Sequence, residues 1–232
     1  MKYLELRQEI CRVGRSLFER GYVHATTGNI SARLPDGDGY LITPTDACLG
    51  NLQPERLARV DESGEQVSGD RASKTLALHR QIYAAAPDAH CVLHSHSHPL
   101  VALTLQITAE QRAAAAEQRA AAAETLLPPI TPYFVMKVGR VPLLPYHRPG
   151  DPAVGPLVAE AIRQARRRGA TLRAVMLDRL GPNVWHDSPA SAMATLEELE
   201  ETARLWLRCT PRPTPLDAAQ LAELQQHFGA VW

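Results

Sequence analysis

The chain has 232 residues, and its 25 basic and 25 acidic residues give a formal net charge of zero at pH 7. This balance gives no electrostatic reason to bind nucleic acid or an anionic membrane. No apolar run approaches the roughly 20 residues of a membrane helix, and the start of the chain has no apolar signal-peptide core. Four scattered cysteines without CxxC spacing indicate reduced thiols, so we expect a globular cytoplasmic protein.

The first hundred residues alternate predicted helices with predicted strands. Apolar residues at helical spacing predict a first helix that ends at Gly21. Two short strands should flank the turn "PDGDG", and a Pro-started helical turn and a second hairpin should follow. The stretch "SKTLALHRQIYAAAP" predicts an amphipathic helix, and "AHCVLHSHS" predicts a buried strand. Pro99 fits the first turn of the next helix, because that position needs no backbone donor.

The second half opens with a repeat of EQRAAAA, which predicts an exposed helical insertion over 109–124. Strands are then predicted in "YFVMKVGRVPLLPY", a helix in "DPAVGPLVAEAIRQARRRG", and a last buried strand and turn in "AVMLDRLGPNVW". A long helix with a serine N-cap, "SAMATLEELEETARLWLRC", precedes a Pro-rich connector and a short terminal helix. We therefore predict one α/β domain over 1–210, with helices covering a mainly antiparallel sheet, and a C-terminal extension over 211–232.

Three histidines, His94, His96 and His98, stand at alternate positions in "CVLHSHSHPL". Side chains alternate between the faces of a strand, so these rings can point the same way. Two histidines spaced in this way commonly bind a divalent metal through their imidazole nitrogens. The alternative is that they cap the following helix or lie in solvent. Two ligands alone hold a catalytic metal poorly, so a metal site requires a further ligand elsewhere in the chain.

Several motifs along the chain occur in the order seen in the class II aldolase/adducin family. They are "TTGNIS", "ITPT", "VLHSHS", "TPYFVMKVGRVPLLPY" and "EELEETARL". The resemblance runs from about Leu6 to Cys209 and is greatest to the branch of 3-oxo-tetronate 4-phosphate decarboxylases and fuculose-phosphate aldolases. It implies an α/β/α sandwich that acts on small molecules, usually as a cyclic homotetramer with active sites at subunit interfaces.

The resemblance also implies a divalent metal, zinc before iron or manganese, with His94 and His96 as its first two ligands. Two expected residues are missing from this chain. Leu180 stands where the family has its third metal-binding histidine, and Arg179 replaces the asparagine before it. Thr75 stands where the family has a catalytic glutamate, and a hydroxyl cannot replace a carboxylate in proton transfer at neutral pH.

The expected substrate pocket is altered as well. The family's "TPTG" or "TPSG" reads "TPTD" here, which places Asp46 beside the expected phosphate. A carboxylate repels a phosphate dianion unless a cation intervenes, so we predict a substrate preference that is not phosphate-specific. The resemblance implies substrate contacts from a set of polar and glycine residues along the first third of the chain. They are Thr26, Gly28, Asn29, Thr43, Thr45, Asp46, Ser73 and Lys74.

The missing residues leave open the third metal ligand and the group that transfers protons. Candidate ligands are His147, Asp178 and His98; Asp178 with two histidines would suit iron(II) as well as zinc. Lys74 is the first candidate for proton transfer because desolvation can lower the pKa of an ammonium group, and holding a substrate carboxylate is its alternative role. The other candidates for catalysis are Tyr133 and His147, and His24 and Asp46 are also considered.

The sequence therefore predicts a divergent lyase acting on a small oxygenated carbonyl or carboxylate compound. Aldol cleavage, decarboxylation, dehydration and cyclisation all remain open, and a role in specialised biosynthesis would explain the altered residues. Two other functions stay open on the same fold: a non-catalytic, adducin-like binding or assembly protein, and a metal-dependent oxygenase.

Overall fold

A computed structural model describes residues 1–107 and 125–232 of the chain. The predicted insertion over 109–124 therefore lies outside the described residues. Among the described residues, no helix is both long enough and apolar enough to cross a membrane.

The centre of the fold is an eight-stranded sheet with the order β4-β3-β2-β1-β5-β8-β7-β6. Only β6 and β7 pair in parallel, which confirms the predicted mainly antiparallel sheet. The strands are β1 (Asn29–Arg33), β2 (Tyr40–Ile42), β3 (Ala58–Val60), β4 (Gln66–Ser68), β5 (Cys91–His94), β6 (Leu143–Leu144), β7 (Ala174–Leu177) and β8 (Gly181–His186).

Helices cover both faces of this sheet, as the predicted α/β/α sandwich requires. They are α1 (Leu4–Glu19), α2 (Leu76–Ala85), α3 (His98–Leu105), α4 (Pro132–Lys137), α5 (Val154–Arg167), α6 (Pro189–Arg208) and α7 (Ala218–Phe228). One apolar core joins α2 and α5 to the face of the sheet that carries Val92 and Trp185. A second core joins α1, α3 and α6 to the opposite face, which carries Leu93 and Val184. Neighbouring strand residues enter different cores because side chains alternate along a strand.

Three local predictions were wrong. The stretch predicted to begin a strand at Tyr133 forms α4, which starts at Pro132 and is capped by the Thr131 hydroxyl accepting from the Phe134 backbone N–H. Proline at the first helical position and a threonine cap outweigh the β preference of the aromatic residues that follow. The long helix α6 begins at Pro189 after the Ser188 cap, one turn earlier than predicted. The turn after β7 leads into a further strand, β8, which pairs with β7 as a hairpin.

The segment after α6 packs against the rest of the fold. The Leu216 backbone N–H donates to the Pro129 carbonyl at 2.8 Å. The ring centroid of Trp232 lies 5.7 Å from that of Phe134 in an edge-on arrangement. The predicted extension over 211–232 thus contacts the main body at α4, and its boundary at 210 stays a prediction.

Candidate active site

Three polar residues form a row across the middle of the sheet. In the register of β1 with β5, Asn29 lies opposite His94, and in the register of β5 with β8, His94 lies opposite Asn183. Directly opposite residues on antiparallel strands project from the same face, with Cβ atoms about 4.5–5.5 Å apart. All three are buried, with 7%, 8% and 1% of their surface exposed, respectively. The row therefore forms a polar floor on the face covered by α2 and α5.

The rings of His94 and His96 point at each other. Their Nε2 atoms lie 3.0 Å apart. The Nδ1 atom of His94 lies 2.9 Å from the Pro182 carbonyl oxygen, which can only accept, so Nδ1 carries the proton and Nε2 presents a lone pair. A backbone carbonyl that fixes the tautomer of a histidine in this way is typical of metal-binding imidazoles.

Both rings are neutral at physiological pH. Burial, and then the neighbouring His96 ring, lower the pKa of His94 to about 3. Burial and then His24 lower the pKa of His96 from its ordinary value. Neutral imidazoles keep the lone pairs that a divalent cation requires.

A cavity of about 400 Å³ opens in front of these rings. Two cationic side chains, Lys74 and Arg148, line it together with Asn29, Asn183 and both histidines. The remaining wall is largely apolar. It includes Leu78, Val154, Leu177, Leu180 and the prolines at 149, 152 and 156. The cavity thus combines a polar floor, an edge that carries two cations and the Asp151 carboxylate, and an apolar wall. The edge keeps a net positive charge, which suits a small anionic molecule with oxygen substituents.

Two positions where the chain departs from the family, Thr75 and Leu180, line this same cavity. The departures therefore alter the wall of the site itself. Among the described residues, no three side chains of His, Cys, Asp or Glu converge closely enough to hold a metal. None of the three candidate third ligands lies in the cavity of its own subunit: His98 stacks on His24 with centroids 5.9 Å apart, and neither His147 nor Asp178 is among the lining residues. As ligands they stay predictions.

Neither of the two other predicted catalytic residues lines the cavity of its own chain, although His147 lies beside Asp151, which does. Tyr133 is 62% exposed on α4, and the His147 Nδ1 atom lies 3.4 Å from the Asp151 carboxylate. Neither is among the residues that line the cavity. Their catalytic roles stay predictions that require a neighbouring subunit.

The predicted substrate contacts divide between different places. Asn29 and Lys74 line the cavity beside the histidines. Thr45 and Asp46 line a separate hollow beside Arg56 and Arg71. Asp46 has a φ of 56°, so an aspartate holds the left-handed backbone that its family glycine would adopt freely.

The other four predicted contacts are in varied surroundings. The Thr43 hydroxyl is buried and accepts from the Ile30 backbone N–H, and the Ser73 hydroxyl lies 2.9 Å from that of Thr75. Thr26 is exposed. Gly28 has a φ of 81°, and a Cβ there would lie 2.8 Å from the His94 carbonyl oxygen, so glycine is needed for β1 to approach β5.

Two cavity residues, Arg148 and Asn183, were missed by the sequence analysis. Arg148 follows His147 in a loop, and no residue spacing places it near Lys74. Asn183 had a signal in the sequence, since it is a lone amide within the otherwise apolar strand "GPNVW". A polar residue in a buried strand needs a partner or a function.

A third histidine, His79 on α2, lies fully buried behind the site. Its Nδ1 atom is 2.7 Å from the Ser31 hydroxyl, which in turn is 2.8 Å from the Tyr83 hydroxyl. Its Nε2 atom has no hydrogen-bond partner among the described residues. Burial, and then the neighbouring His94, lower the pKa of His79 to about 3.

Folding should consequently weaken in acid through His79. Between its ordinary pKa near 6.5 and its folded pKa of about 3, the unfolded chain binds a proton that the folded chain does not. The free energy of unfolding therefore falls as pH drops through this window, by up to about 1.4 kcal/mol per pH unit for this group. His79→Gln should flatten the slope of unfolding free energy against pH, measured by urea denaturation at pH 7.5, 6 and 5. His90→Gln, at an exposed site, should leave the slope unchanged; equal slopes in all three proteins would contradict this assignment.

Paired neutral imidazoles at the end of a central strand, facing a cavity with a cationic edge, define a class II aldolase type of site on an α/β/α sandwich. The model of the Class II Aldolase and Adducin N-terminal domain matches residues 8–207, and the chain belongs to this family.

Full-length relatives carry lyase names. The chain is 51% identical to the 3-oxo-tetronate 4-phosphate decarboxylase of Cupriavidus necator over 98% of both chains. It is 39% identical to the protein of the same name from Escherichia coli K12 over 95% of both. Over 38% of its length it is also 44% identical to the methylthioribulose-1-phosphate dehydratase of Methylococcus capsulatus. The chain is thus an enzyme with class II aldolase-like lyase chemistry, and the non-catalytic alternative gains no support.

Solved structures agree on the fold. YgbL from Escherichia coli superposes with a TM-score of 0.81 at 37% identity, covering 96% of this chain and 98% of that one. An L-fuculose 1-phosphate aldolase superposes with a TM-score of 0.77 at 19% identity, covering 99% and 98%, which establishes likeness of fold alone.

Proposed function

We propose that this enzyme decarboxylates a small 3-oxo acid of the sugar-acid type, with a requirement for phosphate that is relaxed or lost. The observation that carries the proposal is that the Nε2 atoms of His94 and His96 face the same cavity as Lys74 and Arg148. The decarboxylase names of the two full-length relatives support the same reaction.

The paired imidazoles fit a divalent ion. They are neutral, their nitrogens lie 3.0 Å apart, and the carbonyl of Pro182 orients one of them. His94 and His96 would hold the ion, zinc before iron or manganese, and it would supply a Lewis acid for the substrate carbonyl oxygen.

Thr75 favours decarboxylation over the other lyase reactions. Aldol chemistry and dehydration begin when a base removes a proton, and Thr75 cannot act as that base at neutral pH. A 3-oxo acid needs no such step. Its carbon–carboxylate bond breaks, carbon dioxide leaves, and the electron pair of that bond moves into the adjacent ketone to give an enolate. The enolate carbon then takes one proton, which yields a ketone one carbon shorter.

Lys74 and Arg148 have distinct tasks in this scheme. The exposed ammonium of Lys74 and the guanidinium of Arg148 attract the anionic substrate to the cavity edge. Lys74 is exposed, so the desolvation on which its predicted role is based is absent in this subunit. It is still the proposed proton donor, because an ammonium group can give a proton to a strongly basic enolate carbon. The apolar wall of Leu78, Leu177 and Leu180 limits water near the departing carboxylate, which favours the uncharged product.

The subunit arrangement is proposed from the family. The resemblance implies a cyclic homotetramer with active sites at its subunit interfaces. In such an assembly, exposed Tyr133 and loop residue His147 are proposed to act in a neighbouring subunit's site. Arg56 and Arg71 share the hollow of Asp46, but Asp46 and Asp70 offset their charge. The hollow therefore has no net positive charge to favour a phosphate, and this supports a substrate that need not be phosphorylated.

The test is carbon dioxide release from 3-oxo-tetronate and from its 4-phosphate, each generated in the cuvette by oxidation of the matching hydroxy acid. We expect release from both, with kcat/KM values within about tenfold of each other, since phosphate contributes little here. Release from neither compound would refute decarboxylation. Release from the phosphate alone would refute only the relaxed specificity.

Lys74→Met gives a separate prediction. It removes the charge but keeps a side chain of similar length, so KM for the acid should rise and kcat should fall, each by about 10-fold or more. Lys74→Arg should recover KM but not kcat, because a guanidinium does not give up its proton. Steady-state kinetics of both variants check this, and an unchanged kcat in Lys74→Met would leave Lys74 a binding residue only.

A further inference from the structure

We propose that the carboxamide oxygen of Asn183 is the third protein ligand of the divalent ion held by His94 and His96. This inference rests on the proposed function, which places an ion at those two rings, and it deepens that function by identifying how this chain compensates for Leu180.

The sheet register places Asn183 beside the ion-binding rings. His94 and Asn183 are direct partners on β5 and β8, so their side chains leave the same face of the sheet. The Nδ1 atom of His94 is anchored to the carbonyl of Pro182, the residue just before Asn183. That hydrogen bond inclines the ring of His94 toward β8, and Asn183 lines the same cavity as both rings.

The carboxamide of Asn183 lacks hydrogen bonds. The residue is 1% exposed, and neither its oxygen nor its nitrogen has a hydrogen-bond partner among the described residues. Leaving a buried amide unpaired is costly, and natural proteins rarely do so without a reason. A cation in the cavity would engage the oxygen and remove much of that cost.

Asn29 flanks His94 on the other side, and its side-chain oxygen also lacks a partner among the described residues. Asn183 is preferred for two reasons: it is the more deeply buried of the two, 1% against 7% exposed, so an unsatisfied amide is more costly there, and the His94 ring is hydrogen-bonded to its own strand. Asn29 remains available for the substrate.

The ligand set has consequences for the choice of metal. Two imidazole nitrogens and one amide oxygen are harder as a set than three imidazoles. The site should therefore accept manganese(II) and iron(II) more readily than a three-histidine site does. It should also bind zinc less tightly than such a site.

The experiment titrates the metal-free full-length protein with cobalt(II) alone and follows the visible d–d absorbance. We expect Asn183→Leu, which is similar in size but has no donor atom, to weaken cobalt affinity by at least about 10-fold and to change the spectrum. Asn183→Asp keeps an oxygen donor and adds charge, so it should bind cobalt at least as tightly as the parent. Asn51→Leu makes the same chemical change at an exposed position in another hollow and should leave affinity unchanged.

The possible results distinguish a failure of the Asn183 inference from a failure of the proposed function. If His94→Ala with His96→Ala loses cobalt but Asn183→Leu keeps parental affinity and spectrum, Asn183 is not a ligand and the histidine centre stands. If the double alanine variant binds cobalt as the parent does, the metal part of the proposed function fails. Melting temperatures of the metal-free variants verify folding. The melting temperature of Asn183→Leu should equal or exceed that of the parent, because an unpaired buried amide is replaced by an apolar group. If Asn183→Leu does not fold, the Asn183→Asp variant decides the question, and weaker cobalt binding by that variant than by the parent overturns the inference.

Discussion

Replacing His94 and His96 together by alanine is expected to abolish binding of the proposed divalent ion and to lower kcat/KM for the proposed decarboxylation by more than about 100-fold. Changes to the outer partners of metal-binding histidines already cost about 10- to 100-fold, and removing the imidazoles themselves should cost more. The double change removes both nitrogens that converge at 3.0 Å and leaves the cationic edge of the cavity in place.

Two measurements check this prediction. Elemental analysis gives the metal content per chain, and carbon dioxide release gives the rate. His90→Ala provides the control, because His90 is exposed and does not line the cavity. A double variant that keeps full activity without metal would exclude the ion from the reaction and leave Lys74 to act without it.

The motifs allowed the fold and the paired histidines to be predicted because those features depend on local pattern. Alternation along an extended segment predicts rings that share a direction, although β5 ends at His94 and His96 lies two residues beyond it. Thr75 and Leu180, which the resemblance places at the active site, line the cavity wall. Helix α4 was predicted as strand, since its Tyr and Phe favour strands while Thr131 and Pro132 set the start of a helix.

The remaining features of the site depend on long-range geometry. Asn183 lies opposite His94 because of the register of β5 with β8. The two residues are 89 positions apart in the sequence, and that separation does not indicate that they pair. Arg148 reaches the cavity from the loop before α5, where sequence shows only a charged residue near a proline and a glycine. Tyr133 and His147 raise the converse difficulty, because the sequence offered them as candidates for catalysis and neither lines the cavity of one subunit. Their roles depend on packing between subunits.

Gly181, the first residue of β8, should not tolerate replacement by a residue that has a side chain. Its φ is +139°, which L-residues with a Cβ rarely adopt, and an added Cβ would overlap the carbonyl oxygen of Ser95, between the two paired histidines. Gly181→Ala should therefore destabilise the fold by at least about 3 kcal/mol, because backbone strain adds to displacement of a packed strand. Urea denaturation of the parent and the variant measures this difference.

Gly169→Ala separates the two causes. Gly169 also has a positive φ, +73°, but an added Cβ there meets nothing within 4 Å, so only the backbone conformation is penalised, by about 1–2 kcal/mol. The excess cost at Gly181 is then the cost of moving β8 away from the segment that carries His94 and His96. The same movement should separate the two rings, so Gly181→Ala should also retain less metal than Gly169→Ala under conditions where both are folded. Equal stability and equal metal content in the two variants would mean that the segment carrying His94 and His96 can move without cost. The pairing of β5 with β8 would then not be what holds the two histidine rings in place.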